Sequence, residues 1–159
     1  MKTVNLHEAP EVERKSPKGK YQSFCKNVSG ALGAQLRPGE PGIPHPFDLQ
    51  IRRLPPGKSV CPYHVHSSQW EMFVIVSGAA TVRCDGETHA VKAGDVFIHP
   101  PGTAHQITNS SATEELVVQI ITDNPPVDLW RYPESDKWGH STTRTFFRMT
   151  EIDYFDGEE

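Results

Sequence analysis

Short apolar runs separated by turn residues dominate the middle of the chain. The runs lie at 47–54, 71–77, 79–84, 88–93, 94–99, 105–109 and 114–122. Between two of them, Asp85-Gly86 favours the positive φ angles of a tight hairpin turn, and Pro100-Pro101 is expected to end a strand. No window carries a sustained apolar stripe at helical spacing. The pattern therefore predicts an all-β domain, a sandwich or a barrel.

The two ends of the chain lack this regular succession of apolar runs and turns. The first 20 residues are polar and interrupted by prolines, which predicts a loosely attached arm, and one or two short strands are expected within 21–36. Four prolines and two glycines exclude regular structure over 37–46. Further on we expect an aromatic-rich loop at 130–138 and a short strand within 144–149. The predicted organisation is an N-terminal arm with short strands at 1–44, a barrel core at 45–122, and a C-terminal extension packing on the barrel at 123–159.

Composition narrows the class of protein. The chain has 159 residues, enough for one domain. Its net charge is −4 and its charges are scattered, so no basic stripe indicates a nucleic-acid partner. The N-terminus lacks the apolar run of a signal peptide, and no stretch approaches the ~18 apolar residues of a membrane span. The three cysteines form no CxxC pair, which suits reduced thiols. We therefore expect a cytoplasmic protein without a membrane partner.

Four residues have the spacing of a metal site. His64 and His66 lie two positions apart, so on a strand both imidazoles project to one side. Glu71 opens the next apolar strand, which we expect to pair antiparallel beside them and return its carboxylate to the pair. His105 follows a Pro-Pro-Gly turn and begins another strand. Three imidazoles and one carboxylate suit a divalent transition metal ion (Mn, Fe, Ni, Co or Zn) with positions left open for water or substrate.

The same residues fall within two longer motifs, which resemble the paired motifs of the cupin superfamily. The first motif is matched by His64, His66, Glu71 and Gly78, and the second by Gly94, Pro100, Gly102, His105 and Asn109. The resemblance covers roughly 45–122 and implies an antiparallel jelly roll (a double-stranded β-helix) with these four metal ligands, in a protein that is often a homodimer. Flanking segments are similar to a small, uncharacterised subgroup called sugar-phosphate-isomerase-like.

Several other residues are candidates with an ordinary alternative. Tyr63, His99 and Gln119 are the candidate catalytic residues. Tyr63 could equally belong to the core, and His99 could support the site from behind or lie at the surface. Gln119 interrupts the apolar run LVVQII, so it needs a hydrogen-bond partner if it faces inward. Either Arg52 or Arg53 could pair with an anionic substrate, although a surface position is the default expectation for both. Cys61, three residues before His64, is expected to be an inert thiol.

Three functions fit this site. An enzyme would act on a small oxygenated substrate, such as a sugar or keto acid, by Lewis-acid isomerase or lyase chemistry. With Fe or Mn, dioxygenase or decarboxylase chemistry becomes available. A non-catalytic module would bind or sense a small ligand without turning it over. The sequence favours an enzyme, and the ordinary partner in all three cases is a small molecule.

Overall fold

The computed structural model describes residues 1–35 and 39–159, which form three antiparallel sheets. The first sheet has six strands in the order β1 (Val12–Lys15), β2 (Gln22–Asn27), β3 (Phe47–Leu54), β10 (Leu116–Asp123), β5 (Glu71–Ser77) and β8 (Val96–His99). The second has three, in the order β7 (Glu87–Lys92), β6 (Ala79–Cys84) and β9 (His105–Asn109). The third has four, in the order β13 (Phe146–Phe147), β12 (Lys137–His140), β11 (Leu129–Tyr132) and β4 (Val65–His66).

The hydrophobic core lies between the six-stranded and the three-stranded sheets. Strands β5 and β10 each contribute every second residue to it, which is the periodicity of a strand with one buried face. Its members are Leu54, Phe73, Ile75, Ala80, Val82, Ile107, Leu116, Val118 and Ile120. The all-β jelly-roll prediction is confirmed. Asp85 and Gly86 join β6 to β7 with φ angles of 46° and 88°, as the hairpin prediction requires.

The N-terminal segment is more ordered than its polarity suggests. Strand β1 pairs with β2 over four residues, so the prediction of a loosely attached arm is wrong there. All four β1 side chains are exposed, so the strand is held by backbone hydrogen bonds. Such bonds leave no hydrophobic pattern in the sequence from which the strand could be predicted. Between 21 and 35, β2 is followed by a short helix, α1 (Val28–Leu32), where only strands were expected. Asn27 caps its start and Gly33 its end. No helix in the described ranges is long and apolar enough to cross a membrane.

The predictions for three other segments agree with the structure in some places and not in others. Part of the proline-rich segment lies outside the described residues, and its remainder, 39–46, consists of turns, bends and one bridge residue. The segment 130–138 is a hairpin of β11 and β12, so the prediction of a loop is wrong. Both arms of this hairpin carry aromatic residues, and a four-residue turn separates them. The short strand expected within 144–149 is the two-residue β13.

Candidate metal centre

The two histidines of the first motif face each other across a short gap. His66 ends the two-residue strand β4, and His64 forms an isolated antiparallel bridge with His105 at the start of β9. The alternation expected of a strand places both imidazoles on one side, and their Nε2 atoms lie 3.1 Å apart. His64, His66 and Glu71 present ligand atoms that all lie within 4.8 Å of one another.

Glu71 lies on a strand that belongs to a different sheet from the strand of His66. Its strand, β5, pairs with β10 and β8 in the six-stranded sheet, whereas β4 pairs with β11 in the four-stranded sheet. The expectation that β5 pairs beside the histidine strand is therefore wrong. The carboxylate instead approaches from a different sheet. Its Oε2 atom lies 2.7 Å from the Nε2 of His105 and 3.8 Å from that of His66.

The electrostatic environment keeps Glu71 ionised. Burial by itself would raise the pKa of this carboxyl group. The hydrogen bond with His105 and the nearby His66, His105 and His64 outweigh burial and lower the pKa to about 2. At neutral pH the side chain is therefore a carboxylate, the form that binds metal ions.

The outer nitrogen of each imidazole is held by a hydrogen-bond acceptor. The Nδ1 of His64 lies 2.9 Å from the carbonyl oxygen of Pro62, and the Nδ1 of His105 lies 3.0 Å from that of Thr103. The Nδ1 of His66 lies 2.6 Å from Oδ2 of Asp128. Carbonyl and carboxylate oxygens only accept, so each Nδ1 carries the proton. In a neutral imidazole the Nε2 lone pair then points inward, as a metal ligand requires.

Asp128 is a buried residue of the candidate site that the sequence does not reveal. It is 3% exposed although it lies in the C-terminal segment before β11. Besides His66, it accepts hydrogen bonds from the Ser67 hydroxyl and the Ser68 backbone N–H. Burial would raise its pKa, but the hydrogen bond with His66 and these donors lower it. A single Asp after Asn-Pro-Pro-Val has no pattern that links it to a histidine 62 residues earlier.

A cavity of about 620 Å³ opens onto the four residues. Its wall contains His64, His66, Glu71 and His105, together with Phe73 and Ile120 of the core. This volume falls within the range of small-molecule binding sites. A group of ligand-type atoms that converge at the wall of such a cavity can hold an ion and still be reached by a small molecule.

A family model described as a cupin domain matches residues 50–121, the region that contains all four residues. The chain carries a cupin domain. An oxalate-binding protein from Thermotoga maritima is 36% identical over 69 residues, which are 43% of this chain and 56% of that protein. The cupin thus spans little more than half the length of the curated relatives that it matches.

Two crystal structures share the fold along nearly the whole cupin. One is a protein from Acidithiobacillus ferrooxidans provisionally named a sugar phosphate isomerase, with a TM-score of 0.76 over 94% of this chain and 97% of that one. The other is a cupin-superfamily protein from Silicibacter pomeroyi named a sugar phosphate isomerase, with a TM-score of 0.75 over 96% and 98%. Both are 18% identical to the cupin, a level at which the likeness shows the fold alone.

The three candidate catalytic residues lie outside the described lining of the cavity. Gln119 alternates with the core residues Val118 and Ile120, so it faces the outside of the sheet. Tyr63 is buried beneath Arg83, whose guanidinium carbon lies 3.8 Å from the ring centroid. His99 stacks on His105 at 4.2 Å and supports it from behind. Burial and the neighbouring His105 lower the pKa of His99 to about 4.

The cupin brings other polar groups to the cavity instead. Tyr132 lines it, with its ring stacked 6.1 Å from that of His64. Burial raises the pKa of this phenol to about 12, so it is a hydrogen-bond donor at neutral pH. Cys61 also lines the cavity, and burial raises the pKa of its thiol to about 12, in keeping with an inert thiol. Arg52 reaches the cavity, whereas Arg53 pairs with Glu11 and Glu115 outside it.

Proposed function

We propose that this cupin binds one divalent transition metal ion (Mn, Fe, Ni, Co or Zn) through His64, His66, Glu71 and His105. We further propose that it is an enzyme acting on a small oxygenated substrate, such as a sugar or keto acid, by isomerase or lyase chemistry. The location expected for it is the cytoplasm.

One observation carries the metal-binding proposal: the Nε2 atoms of His64 and His66 meet as two acceptors beside the carboxylate of Glu71. With each Nδ1 protonated, the Nε2 atoms of His64 and His66 face each other at 3.1 Å as two lone pairs. The Nε2 of His105 lies 2.7 Å from the carboxylate of Glu71, where a shared proton makes the hydrogen bond that a bound cation would replace. Two acceptors at such distances repel each other unless a proton or a cation lies between them. A divalent cation would satisfy the ligand atoms of His64, His66 and Glu71, which all lie within 4.8 Å of one another, with His105 as the proposed fourth ligand.

The residues around the site have separate roles in the proposed reaction. A bound divalent ion supplies Lewis acidity, which polarises a substrate carbonyl or hydroxyl oxygen. Asp128 fixes the orientation of His66, and His99 fixes that of His105 by stacking. Tyr132 is placed to donate a hydrogen bond to an oxygen of a substrate in the cavity. A phenol with a pKa of about 12 is too weakly acidic to be a general base at neutral pH.

Two further functions rest on specific observations. The same donor set accepts Fe or Mn, with which dioxygenase or decarboxylase chemistry becomes available. A non-catalytic binding module is favoured by the name of the Thermotoga maritima relative, an oxalate-binding protein. The position of Tyr63, His99 and Gln119 outside the cavity lining also favours it, since these three were the candidate catalytic residues.

Elemental analysis of the purified protein tests the metal site. We expect about one equivalent of a transition metal in the wild type and its loss in H64A/H105A. The matched control is H7A/H89A, which removes two exposed histidines outside the site and should retain the metal. A wild type that is metal-free and cannot be loaded with any of the five ions would contradict the proposal.

Turnover separates an enzyme from a binding module. The protein loaded with each ion in turn is incubated with aldoses, ketoses, keto acids and dicarboxylates, in air and without oxygen. Product formed without oxygen from a sugar supports isomerase or lyase chemistry, and product that requires oxygen indicates a dioxygenase. Calorimetric binding without product from any of these compounds would overturn the proposal of an enzyme in favour of a ligand-binding module.

We also propose that the protein is a homodimer. The outer face of the six-stranded sheet supports this, because several of its large apolar side chains are exposed. They are Phe47, Met72, Val76, Val96 and Ile98. Apolar surface of this extent on one face is typical of a protein–protein contact.

A further inference from the structure

Strand β3 presents polar side chains to the cavity, although it belongs to the core sheet. Asp48, Gln50 and Arg52 all line the cavity. In the sheet register, Arg52 lies beside Val118 and Gln50 beside Ile120, and both of these partners are core residues. Laterally paired residues share a face of the sheet, so this polar stripe lies on the inner face. The usual arrangement of apolar residues inside and polar residues outside is inverted over residues 47–52 of this strand.

The guanidinium of Arg52 is held in place by neutral groups only. Its Nε and Nη2 atoms donate to Oε1 of Gln50 at 3.1 and 2.8 Å. Its Nη1 atom donates to the buried hydroxyl of Ser23 at 3.1 Å. Among the residues that the structure describes, no carboxylate forms an ion pair with it. Three of its five N–H groups are thus used, and two remain for a ligand.

This charge is in an unfavourable environment without a ligand. Burial lowers the pKa of Arg52, the direction expected for a cation removed from water. Arg14, on β1, also lines the cavity and lowers the same pKa by charge repulsion. The charge of Glu71 acts in the opposite direction and raises this pKa without forming an ion pair. A partly buried cation that has no ion-pair partner and faces a second cation is destabilised, and an anion bound beside it would relieve this.

The charges around the cavity are distributed unevenly. Its charged lining residues, apart from histidines, are Arg14, Asp48, Arg52, Glu71, Asp128 and Arg144. Two of the three carboxylates are already engaged, Glu71 by His105 and Asp128 by His66. The third belongs to Asp48, whose Oδ1 atom is buried with no hydrogen-bond partner among the described residues. The cavity therefore offers a guanidinium for an anion.

The position of Arg52 relative to the metal ligands suits a small molecule that contacts both. The register places Asp48, Thr122 and Glu71 in one row across β3, β10 and β5. Gln50 lies in the next row along, and the guanidinium is hydrogen-bonded to its side chain. The charged end of Arg52 therefore lies about one row along and two strands across from the carboxylate of Glu71. A substrate of a few carbon atoms spans this separation within the 620 Å³ cavity.

We propose that Arg52 determines substrate specificity by binding the carboxylate or phosphate group of a small hydroxylated anion, whose other end reaches the four metal ligands. This inference rests on the proposed function for the metal end of the substrate. The anion contact itself depends on β3 and β2 alone, so it can be tested with and without metal. Arginine suits the role because its planar fork matches both carboxylate and phosphate groups.

The test compares pairs of probes that differ in an anionic group. Calorimetry measures the affinity of glycolate against ethylene glycol, and of glycerol 3-phosphate against glycerol, for metal-loaded and chelator-treated protein. In the wild type we expect each anion to bind at least tenfold more tightly than its neutral counterpart. In R52Q the affinity for the anions should fall roughly 30-fold, as expected when one partner of a buried charge pair is removed. The affinity for the neutral probes should not change.

The adjacent arginine is the matched control. R53Q changes the net charge by the same amount, but Arg53 lies on the outer face with Glu11 and Glu115. It should bind all four probes as the wild type does. Equal losses of anion affinity in R52Q and R53Q, or full anion affinity in R52Q, would overturn the inference. If R52Q does not fold, R52K against R53K repeats the test, since lysine keeps the charge and loses the fork.

The two proposals fail in distinguishable ways. Elemental analysis of R52Q should show the metal content of the wild type, because Arg52 is not one of the ligands. If the wild type binds no metal but its anion preference still requires Arg52, the metal centre is wrong and the anion site stands. If metal binds and R52Q leaves the anion preference intact, the metal centre stands and the anion site is wrong. Tighter binding of glycolate would indicate a carboxylate substrate, and tighter binding of glycerol 3-phosphate would indicate a phosphorylated one.

Discussion

Asp128 holds the Nδ1 atom of His66 at 2.6 Å and is itself held by Ser67 and Ser68. In D128N the amide can keep the contacts with these donors through its oxygen. Its NH₂ group would then face Nδ1, which favours the tautomer with the proton on Nε2 and blocks the metal ligand. We expect metal affinity to fall about 10- to 100-fold, measured by competition with a coloured chelator. D95N, at a turn carboxylate remote from the site, is the control. Unchanged affinity in D128N would show that Asp128 does not orient the ligand.

The phenol of Tyr132 should ionise at a higher pH than an ordinary tyrosine. Burial disfavours its phenolate and raises its pKa from about 10 to about 12. The folded protein therefore keeps a proton that the unfolded chain loses, and stability should decline as the pH rises from about 10 towards 12. Phenolate absorbance, followed while circular dichroism reports the fold, should lose its step near pH 12 in Y132F. The step should persist in Y154F, whose tyrosine is 88% exposed in the wild type. A Y132F difference centred near pH 10 would contradict the buried position.

Individual residues differed in how well the sequence predicted them. His64 and His66 share a side because a two-residue spacing on an extended chain allows nothing else. Arg52 could not be told from Arg53, because β3 inverts the usual polar pattern and only its sheet partners show which face is inside. Asp128 and Tyr132 reach the site through a strand pairing between β4 and β11. Local sequence does not encode such a long-range pairing.

At the scale of elements, the β11–β12 hairpin connects the C-terminal segment to the candidate metal centre. It pairs with the strand that carries His66 and places Trp130 6.3 Å from that imidazole. Its strands were missed because each has only four residues and the aromatic composition of the segment is equally typical of a loop. The longer strands of the six-stranded sheet were predicted well because their apolar runs extend over several residues.

Gly139 tests how tightly this hairpin is packed. A Cβ atom added there would lie 2.1 Å from Nε1 and 2.5 Å from Cε2 of Trp130. G139A should therefore displace the indole and lower the free energy of unfolding by about 1–3 kcal/mol, the usual range for overpacking. Denaturation followed by tryptophan fluorescence measures this. In a W130A background the same substitution should cost much less. An equal loss of stability in both backgrounds would mean that the loss does not come from contact with Trp130.

At the scale of the whole molecule, the outer face of the six-stranded sheet is the candidate dimer contact. Val96 and Ile98 on β8 are 60% and 49% exposed and lie beside Val74 and Met72 on that face. V96E/I98E introduces four like charges into a symmetric contact and should convert a dimer into a monomer. The control V127E/I152E alters two exposed apolar residues outside the sheet and should remain dimeric. Light scattering after gel filtration gives the masses, and a monomeric wild type would contradict the homodimer.

Three of the four ligand-type residues lie on three different sheets: His66 on β4, Glu71 on β5 and His105 on β9. The fourth, His64, forms an isolated bridge with His105. An ion bound there would act as a cross-link between sheets that otherwise meet through side chains and a few bridges. Binding at 100 times the dissociation constant stabilises a fold by about 2.7 kcal/mol, which should raise Tm by roughly 5–10 °C for a chain of this length. The melting temperature of chelator-treated protein, measured with each of the five ions, should therefore rank their affinities before any substrate is known. H64A/H105A should remove the differences, and equal Tm values for the wild type with and without ions would mean that the sheets are not joined in this way.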